Sequence, residues 1–391
     1  MKRASFTIYI LCLGLLLSGC SSGSIYSNYR DIQRILVVQT IGIDLSADGK
    51  IILSVSSSKF GDDPPYRLWA EADTITDAQC TLQNYLPDKE LFFPHISYIL
   101  VGESAARDGI GGLLDFVGRS EEMRIDTPML VVKNGTARDL IMGAGGENHD
   151  VTELLASLQR SLEKRGEAGI LSMGDMSRAI GDGGAAILCA VEGRDASKAN
   201  PGAKDGELTA EPAGFGVFSG KKLTGFVPDA AAWGVTLLLG SCGSGKLEVN
   251  LGSESYALSL DRGGSRVVPV WGGDGNLRRI KISVTVSAGL SEMHEPHRLT
   301  DAFLDKLDNA FSGSVRDCVS TVLDISKSLD ADFLGLGRRI EVSAPDKYGA
   351  MPRKFSDQLK NLVFDISVNA KVERSYDLAD PAQNTGDSEG G

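Results

Sequence analysis

"LLLGSCGSGKLEV", residues 237–249, is the stretch on which the fold class turns. Gly240, four intervening residues, then Gly245 and Lys246 meet the spacing of a phosphate-binding loop, which would make the chain a nucleotide hydrolase. In such a loop, glycines let backbone N–H groups curl round phosphates and a lysine reaches the terminal phosphates. A following Ser or Thr hydroxyl then ligates magnesium where a helix begins. Leu247 stands at the hydroxyl position, so the magnesium ligand is missing. Downstream, Lys246 to Leu251 alternates polar and apolar with period two, which predicts a strand where the motif demands a helix. The stretch therefore reads as a glycine-rich turn joining two strands of a hairpin.

Its surroundings extend that β reading. Short strands are expected at 214–218, 223–227, 233–239, 247–251, 255–260, 267–271 and 280–286, with "GKK", "DRGGS" and "GGDGN" supplying turns. Beyond them, 298–329 has helical spacing with a soft point at Ser312-Gly-Ser314. A strand at 338–342, a helix at 355–362 and a closing strand at 363–372 follow, and the polar tail 376–391 is expected to be disordered. On the other side, 191–212 is polar, contains Gly and Pro, and reads as an exposed linker. The first part of the chain opens with a hairpin at 34–58 that turns at Ala47-Asp-Gly49. Helix and strand then alternate: helix 74–86, strand 95–101, helix 105–117, strand 125–132, a helix over 136–142 capped by Thr136, and amphipathic helix within 147–180. This is an α/β or α+β pattern, and with the strand-rich second half the expected fold class is α+β. The expected divisions are an N-terminal α/β region over 30–190 that itself splits in two, the linker 191–212, a β-hairpin region over 213–252, and a C-terminal α+β domain over 253–375. The 34–58 hairpin is a candidate to pair with the 213–251 strands.

The N-terminus carries an address. Met1-Lys-Arg-Ala is a short basic region, and 7–17 is an almost unbroken apolar run, too short to span a bilayer but suited to a secretory signal. It ends in Leu17-Ser18-Gly19-Cys20, the pattern of a bacterial lipoprotein signal, in which the cysteine thiol accepts diacylglycerol and becomes the first mature residue. The expected signal peptide is thus 1–19 and the tether 20–29, with two acyl chains giving stable anchoring. Removing 1–19 takes away Lys2 and Arg3, so 40 basic residues become 38 against 52 acidic ones and the net charge passes from −12 to −14. That balance argues against nucleic acid as a partner. Cys80, Cys189, Cys242 and Cys318 are scattered singly and are expected to be packed or idle thiols.

Several of these stretches together resemble a known family. "RDIQRILVVQTIGIDLSADGKI" follows the lipobox, "LFFPHISYILVGESAARDGIGGLLDFVGRSEEMRIDTPMLVVKNGTARDLI" comes next, and "LDADFLGLGRRI" lies near the C-terminus. They are similar to the Ger(x)C family, the lipoprotein C subunits of spore nutrient germinant receptors. The carrying signals are Gly42-Ile-Asp44, Phe92–Val101 with Gly102-Glu103, Arg124-Ile-Asp126, and Asp332-Phe-Leu-Gly-Leu-Gly337; "GFGVFSGKKLTGFV" matches the family's hairpin before its C-terminal domain. The resemblance implies three domains, each a β-sheet with packed helices, with no enzyme active site; separately, no cofactor or metal is expected. It also implies anchoring through Cys20 at the outer face of the spore inner membrane and assembly with polytopic subunits A and B. The long acidic linker, the absence of a tryptophan before Phe355 and the Gly/Asp-rich tail depart from the family pattern.

Individual residues have plainer chemical readings. Gly42, Gly102, Gly335 and Gly337 sit at expected strand ends, where glycine allows positive φ or close backbone approach. Asp44, Glu103 and Asp126 beside them are expected to cap backbone N–H groups locally. Gly42, Asp44, Asp332, Gly335 and Gly337 also form the candidate interface with other subunits. His294 and His297 in "HEPH" lack zinc-helix spacing because Pro296 intervenes. His95 reads as a satisfied buried or edge histidine, and Asn134-Gly-Thr136 as a turn plus helix cap. The rival readings are a solute-binding lipoprotein of a transporter, with two lobes and a ligand cleft between them, and an exported hydrolase, for which no nucleophile–base arrangement is visible.

Overall fold

The computed structural model describes residues 34–59, 64–144, 150–166, 171–198, 200–240, 245–293 and 299–373. β1 (Ile35–Leu45) and β2 (Ile51–Ser57) form the expected hairpin, turning at Gly49 with φ 79°, and β3 (Arg67–Ala72) adds to β2. Next come α1 (Ile75–Asn84), β4 (Glu90–Phe92), β5 (Tyr98–Gly102), α2 (Glu103–Asp108) and α3 (Gly111–Arg119). β6 (Met129–Val132), α4 (Ala137–Gly143), α5 (Val151–Lys164), α6 (Met173–Gly183) and β7 (Ala185–Asp195) follow. β8 (Leu208–Ser219) and β9 (Lys222–Val227) complete this part. The strands make one nine-stranded sheet in the order β3-β2-β1-β5-β6-β7-β8-β9, with β4 beside β1. Its centre, β1-β5-β6-β7, is parallel, and both wings are antiparallel.

Side-chain alternation along these strands feeds two cores. Ile41, Ile43, Ile99 and Val101 lie with Leu82 of α1, Leu113 of α3 and Met176 of α6. Tyr98, Leu100, Leu130 and Val132 instead meet Leu140 of α4 and Leu155, Leu158 and Leu162 of α5. Four of these helices start where polar side chains satisfy their orphan N–H groups: Thr74, Thr136 and Asp150 cap α1, α4 and α5, and Ser172 with Asp175 forms a capping box on α6.

α7 (Ala232–Leu239) leads into the second sheet, β10 (Gly245–Leu251), β11 (Glu254–Trp271), β12 (Leu277–Met293) and β13 (Val363–Glu373), paired in that order. Between β12 and its parallel neighbour β13 run α8 (Asp301–Ser328), α9 (Leu336–Ser343), α10 (Pro345–Gly349) and α11 (Phe355–Gln358). α8 buries Leu307, Phe311, Val315, Val319 and Val322, a stripe at helical spacing, against the sheet.

The two sheets share a core rather than facing each other across a gap. Residues 232–238 of α7 are all buried, and they belong to the same cluster as Leu158 on α5, Val249 on β10 and Phe311 on α8. The approach is close enough to demand glycine twice: a Cβ at Gly234 would stand 2.9 Å from the Cys318 carbonyl oxygen, and one at Gly245 would stand 2.4 Å from that of Arg165. Polar ties reinforce the junction. Arg165 bonds Asp229 at 2.8 Å, and the Arg339 guanidinium donates to the carbonyls of Leu238 and Ser265.

Several expected elements are corrected. Residues 233–239 form a helix, not a strand, so the opening stretch joins a helix to a strand, the reverse of a phosphate-loop context. The expected linker at 191–212 belongs at both ends to the antiparallel pair β7–β8, whose register runs from Ala185–Ser219 to Asp195–Leu208. The 34–58 hairpin shares a sheet with β8 and β9 but does not pair with them, because β5, β6 and β7 lie between. "DRGGS" is no turn: β11 is continuous there, with a register shift between Leu260 and Arg262. Residues 338–342 are helical, 105–117 divides into α2 and α3 at Gly109, and α8 runs unbroken through Ser312-Gly-Ser314. The described strands form two sheets, so the three sheets of the expected three-domain division are not found among them.

Candidate functional site

The residues expected at an interface turn out to build two similar joints, one buried at Gly42 and Asp44 and one half-buried at Asp332 and Gly335. Asp44, at the end of β1, is fully buried; its Oδ1 accepts the Ala137 N–H and its Oδ2 the Arg138 N–H, each at 2.8 Å. It thereby holds the first turn of α4, where unsatisfied N–H groups and the helix dipole favour a carboxylate. Burial lifts the Asp44 carboxyl above its usual range, opposed by those two hydrogen bonds. The glycines beside it make room. A Cβ at Gly102 on β5 would stand 1.8 Å from Asp44 Oδ1, and one at Gly42 would stand 2.8 Å from Ile141 Cδ1 and 2.9 Å from Ala137 Cβ.

Asp332 repeats the device at α9, accepting the Leu336 N–H at 2.8 Å and the Gly337 N–H at 2.7 Å. Burial pushes its carboxyl up to about 6 against those two bonds. Gly335 adopts φ 62° to turn the chain into the helix, and a Cβ at Gly337 would stand 2.9 Å from the Phe355 ring. Asp44 and Gly337 therefore face inward and cannot touch another subunit directly; they fix the elements that bear the surface. Sequence reasoning placed a local cap at Asp44, whereas its partners lie more than ninety residues away; the cap at Asp332 is local but was not anticipated.

Glu103 starts α2, accepts the Asn134 N–H at 2.8 Å and pairs with Arg107. Burial opposes its ionisation, but these partners outweigh it and hold the carboxyl below its usual range. Asp126 is exposed and bonds Arg124 instead of capping a backbone. His95 is exposed beside Phe92 rather than buried. Cys80 is an exposed thiol, Cys189 is buried on β7, and burial raises the Cys318 thiol to about 11. Cys20, Cys242, His294 and His297 lie outside the described residues. Among the described residues no group of three His, Cys, Asp or Glu is placed to hold a metal ion.

One concave site was not anticipated. A cleft of about 610 Å³ opens at the carboxyl ends of β1 and β5, between the start of α1 and the length of α3. Ile43, Leu45, Val101, Leu113 and Phe116 line it, with Asp73, Asp108, Asp115 and Arg119 among its polar residues. Its lining comes from segments spread over residues 43–120, a convergence that only the sheet order creates.

Among the described residues no helix is long and apolar enough to cross a membrane. Comparison with known proteins gives two family matches: residues 28–192 match the spore germination protein N-terminal domain, and residues 213–376 match the spore germination B3/GerAC-like C-terminal domain. No curated protein matches significantly. A solved structure, the crystal structure of the GerBC protein, shares the fold with a TM-score of 0.57 and 17% identity, covering 85% of this chain and 96% of that one. With both of its halves matched in order, the chain belongs to the Ger(x)C family of spore germination proteins.

Proposed function

We propose that the chain is the lipid-anchored, non-catalytic C subunit of a nutrient germinant receptor. In this reading diacylglycerol on Cys20 tethers it to the outer face of the spore inner membrane, where it assembles with polytopic subunits A and B. The observation that carries the reading is the ordered pair of family matches over residues 28–192 and 213–376. The tether acts physically: confining the folded body to a thin layer above the membrane raises its effective concentration, so even a weak interface with the membrane subunits is occupied. The burial of α7 between the sheets disfavours a transporter solute-binding protein, whose ligand cleft would lie between two lobes. Asp44, which is buried, and Asp332, which is half-buried, are the carboxylates of the signature stretches; both are engaged by helix N–H groups, which supports a structural rather than an acid–base role.

The test is nutrient-triggered germination of spores carrying Cys20→Ala, followed as loss of refractility, with detergent-solubilised membranes probed for co-purification of subunits A and B. Loss of the protein from the inner membrane together with slowed germination is expected. Normal germination and no co-purification of the native protein would overturn the receptor reading.

A further inference from the structure

The cleft between α1 and α3 has two properties that together select a class of ligand. Its floor is apolar, built from Ile43, Leu45 and Val101 at the strand ends and Leu113 and Phe116 of α3. Its volume of about 610 Å³ falls within the range of roughly 300–1,000 Å³ common to small-molecule sites. Its polar lining, by contrast, is acidic. Asp73, Asp108 and Asp115 stand against a single cation, Arg119, and Arg119 is already bonded to Asp115 at 2.8 Å. Lys221 flanks α3 at Gly111 but is not part of the lining.

Within the lining itself Asp73 and Asp108 have no compensating cation; Lys222, outside the lining, runs along Gly109 beside Asp108. Asp108 is the last residue of α2, at the negative end of the helix dipole, where a carboxylate gives the helix no help. Both side chains belong to exposed residues, so their placement at the mouth is not required by the core. Gly112 lines the cleft in the first turn of α3, and a Cβ there would meet nothing within 4 Å, so this position faces open space.

We propose that this cleft binds a small organic cation, an ammonium group carried on an apolar body. The body packs on Ile43, Val101 and Phe116, and the charge lies beside Asp73 and Asp108. The same carboxylates repel an anion of equal shape, and a neutral alcohol fills the floor without the electrostatic gain. This binding is a property of the chain itself and stands apart from its membership of a receptor.

Three probes with one alkyl chain separate these terms: butylammonium chloride, 1-butanol and sodium butyrate. Each is titrated into the full chain carrying Cys20→Ala, which keeps it free of lipid, with isoleucine methyl groups labelled for NMR. Ile43, Ile51, Ile75 and Ile110 all line the cleft and report directly on it. Butylammonium should give saturable shifts at these four methyls, with butanol about threefold to fivefold weaker, as expected for a partly exposed charge pair, and butyrate weaker still. Asp73→Asn and Asp108→Asn should each bring butylammonium closer to butanol, and Gly112→Leu should block both without unfolding the chain. Non-saturating shifts up to tens of millimolar, equal binding of butanol and butylammonium, or shifts centred elsewhere would each overturn the proposal.

Discussion

The joint between Asp44, Gly102 and α4 can be tested by breaking it from either side. Asp44→Ala removes two charge-assisted hydrogen bonds, to Ala137 and Arg138, and leaves those N–H groups without their partner. Allowing for the relieved burial of a carboxylate, the net loss should be about 3 kcal/mol. Gly102→Ala attacks the same bonds by steric means, because its new methyl would stand 1.8 Å from Asp44 Oδ1 and drive the carboxylate off the helix. It too should cost about 3 kcal/mol. In the double variant the methyl's nearest remaining neighbour is the Ala137 nitrogen at 3.4 Å, so the second change becomes nearly free. The pair should therefore lose about 3 kcal/mol together rather than about 6, a coupling of about 3 kcal/mol. Urea unfolding of the chain with Cys20→Ala, followed by circular dichroism, measures this. Trp69, one of three tryptophans, has its ring 5.1 Å from the Arg138 guanidinium on α4, so the change in emission that Trp69→Phe abolishes gives a local readout. If the two losses add to within about 0.5 kcal/mol, the carboxylate and the glycine act independently and the joint is not what holds α4.

Four further outcomes follow from other positions. Asp332 is lifted by burial from about 4 to about 6, so between those values the native state binds a proton more tightly than the unfolded chain does. Its contribution should favour the fold at low pH and fade as pH rises through that window; melting temperature against pH should therefore lose this component in Asp332→Asn. Gly214→Ala should prevent soluble expression, because φ is +83° and the added Cβ would stand 2.0 Å from the Val227 carbonyl oxygen. Gly181→Ala, in a helix with nothing within 4 Å, should be neutral or slightly stabilising in the same assay. Phe311→Ala, which empties a fully buried position between α8 and the second sheet, should lower stability by about 3–5 kcal/mol in denaturant unfolding.

What could be read from the sequence was what its local chemistry encodes. Thr136 announced the start of α4, Asp-Gly the β1–β2 turn, and the alternation after Lys246 the strand β10. The misreadings share a cause in long-range packing. Residues 232–239 have no period because every side from Ala232 to Leu238 is buried, and a continuous apolar run looks alike as strand or helix. Residues 191–195 and 208–212 are polar because they carry the β7–β8 pair to its outer end, where few side chains reach the core. "DRGGS" was read as a turn because its glycines are equally at home in an irregular strand, and only the pairing with β12 decides between the two. The signature aspartates and glycines were visible, but their partners were not. Nothing near Asp44 in the chain points to Ala137, and nothing near Gly337 points to Phe355. The cleft was illegible for the same reason, being assembled from four segments that the sheet brings together.

The pairing of β7 with β8 has a consequence for how the molecule can be taken apart. The connection between them, residues 196–207, is the thread between the two family-matched halves, yet each half already contributes a strand to the same sheet and side chains to the same core. Severing that thread would release no piece. The fragments would remain interlocked through the ladder from Ala185 to Asp195 and through α7, so a nicked chain would travel through purification as an intact particle and show its cut only on a denaturing gel.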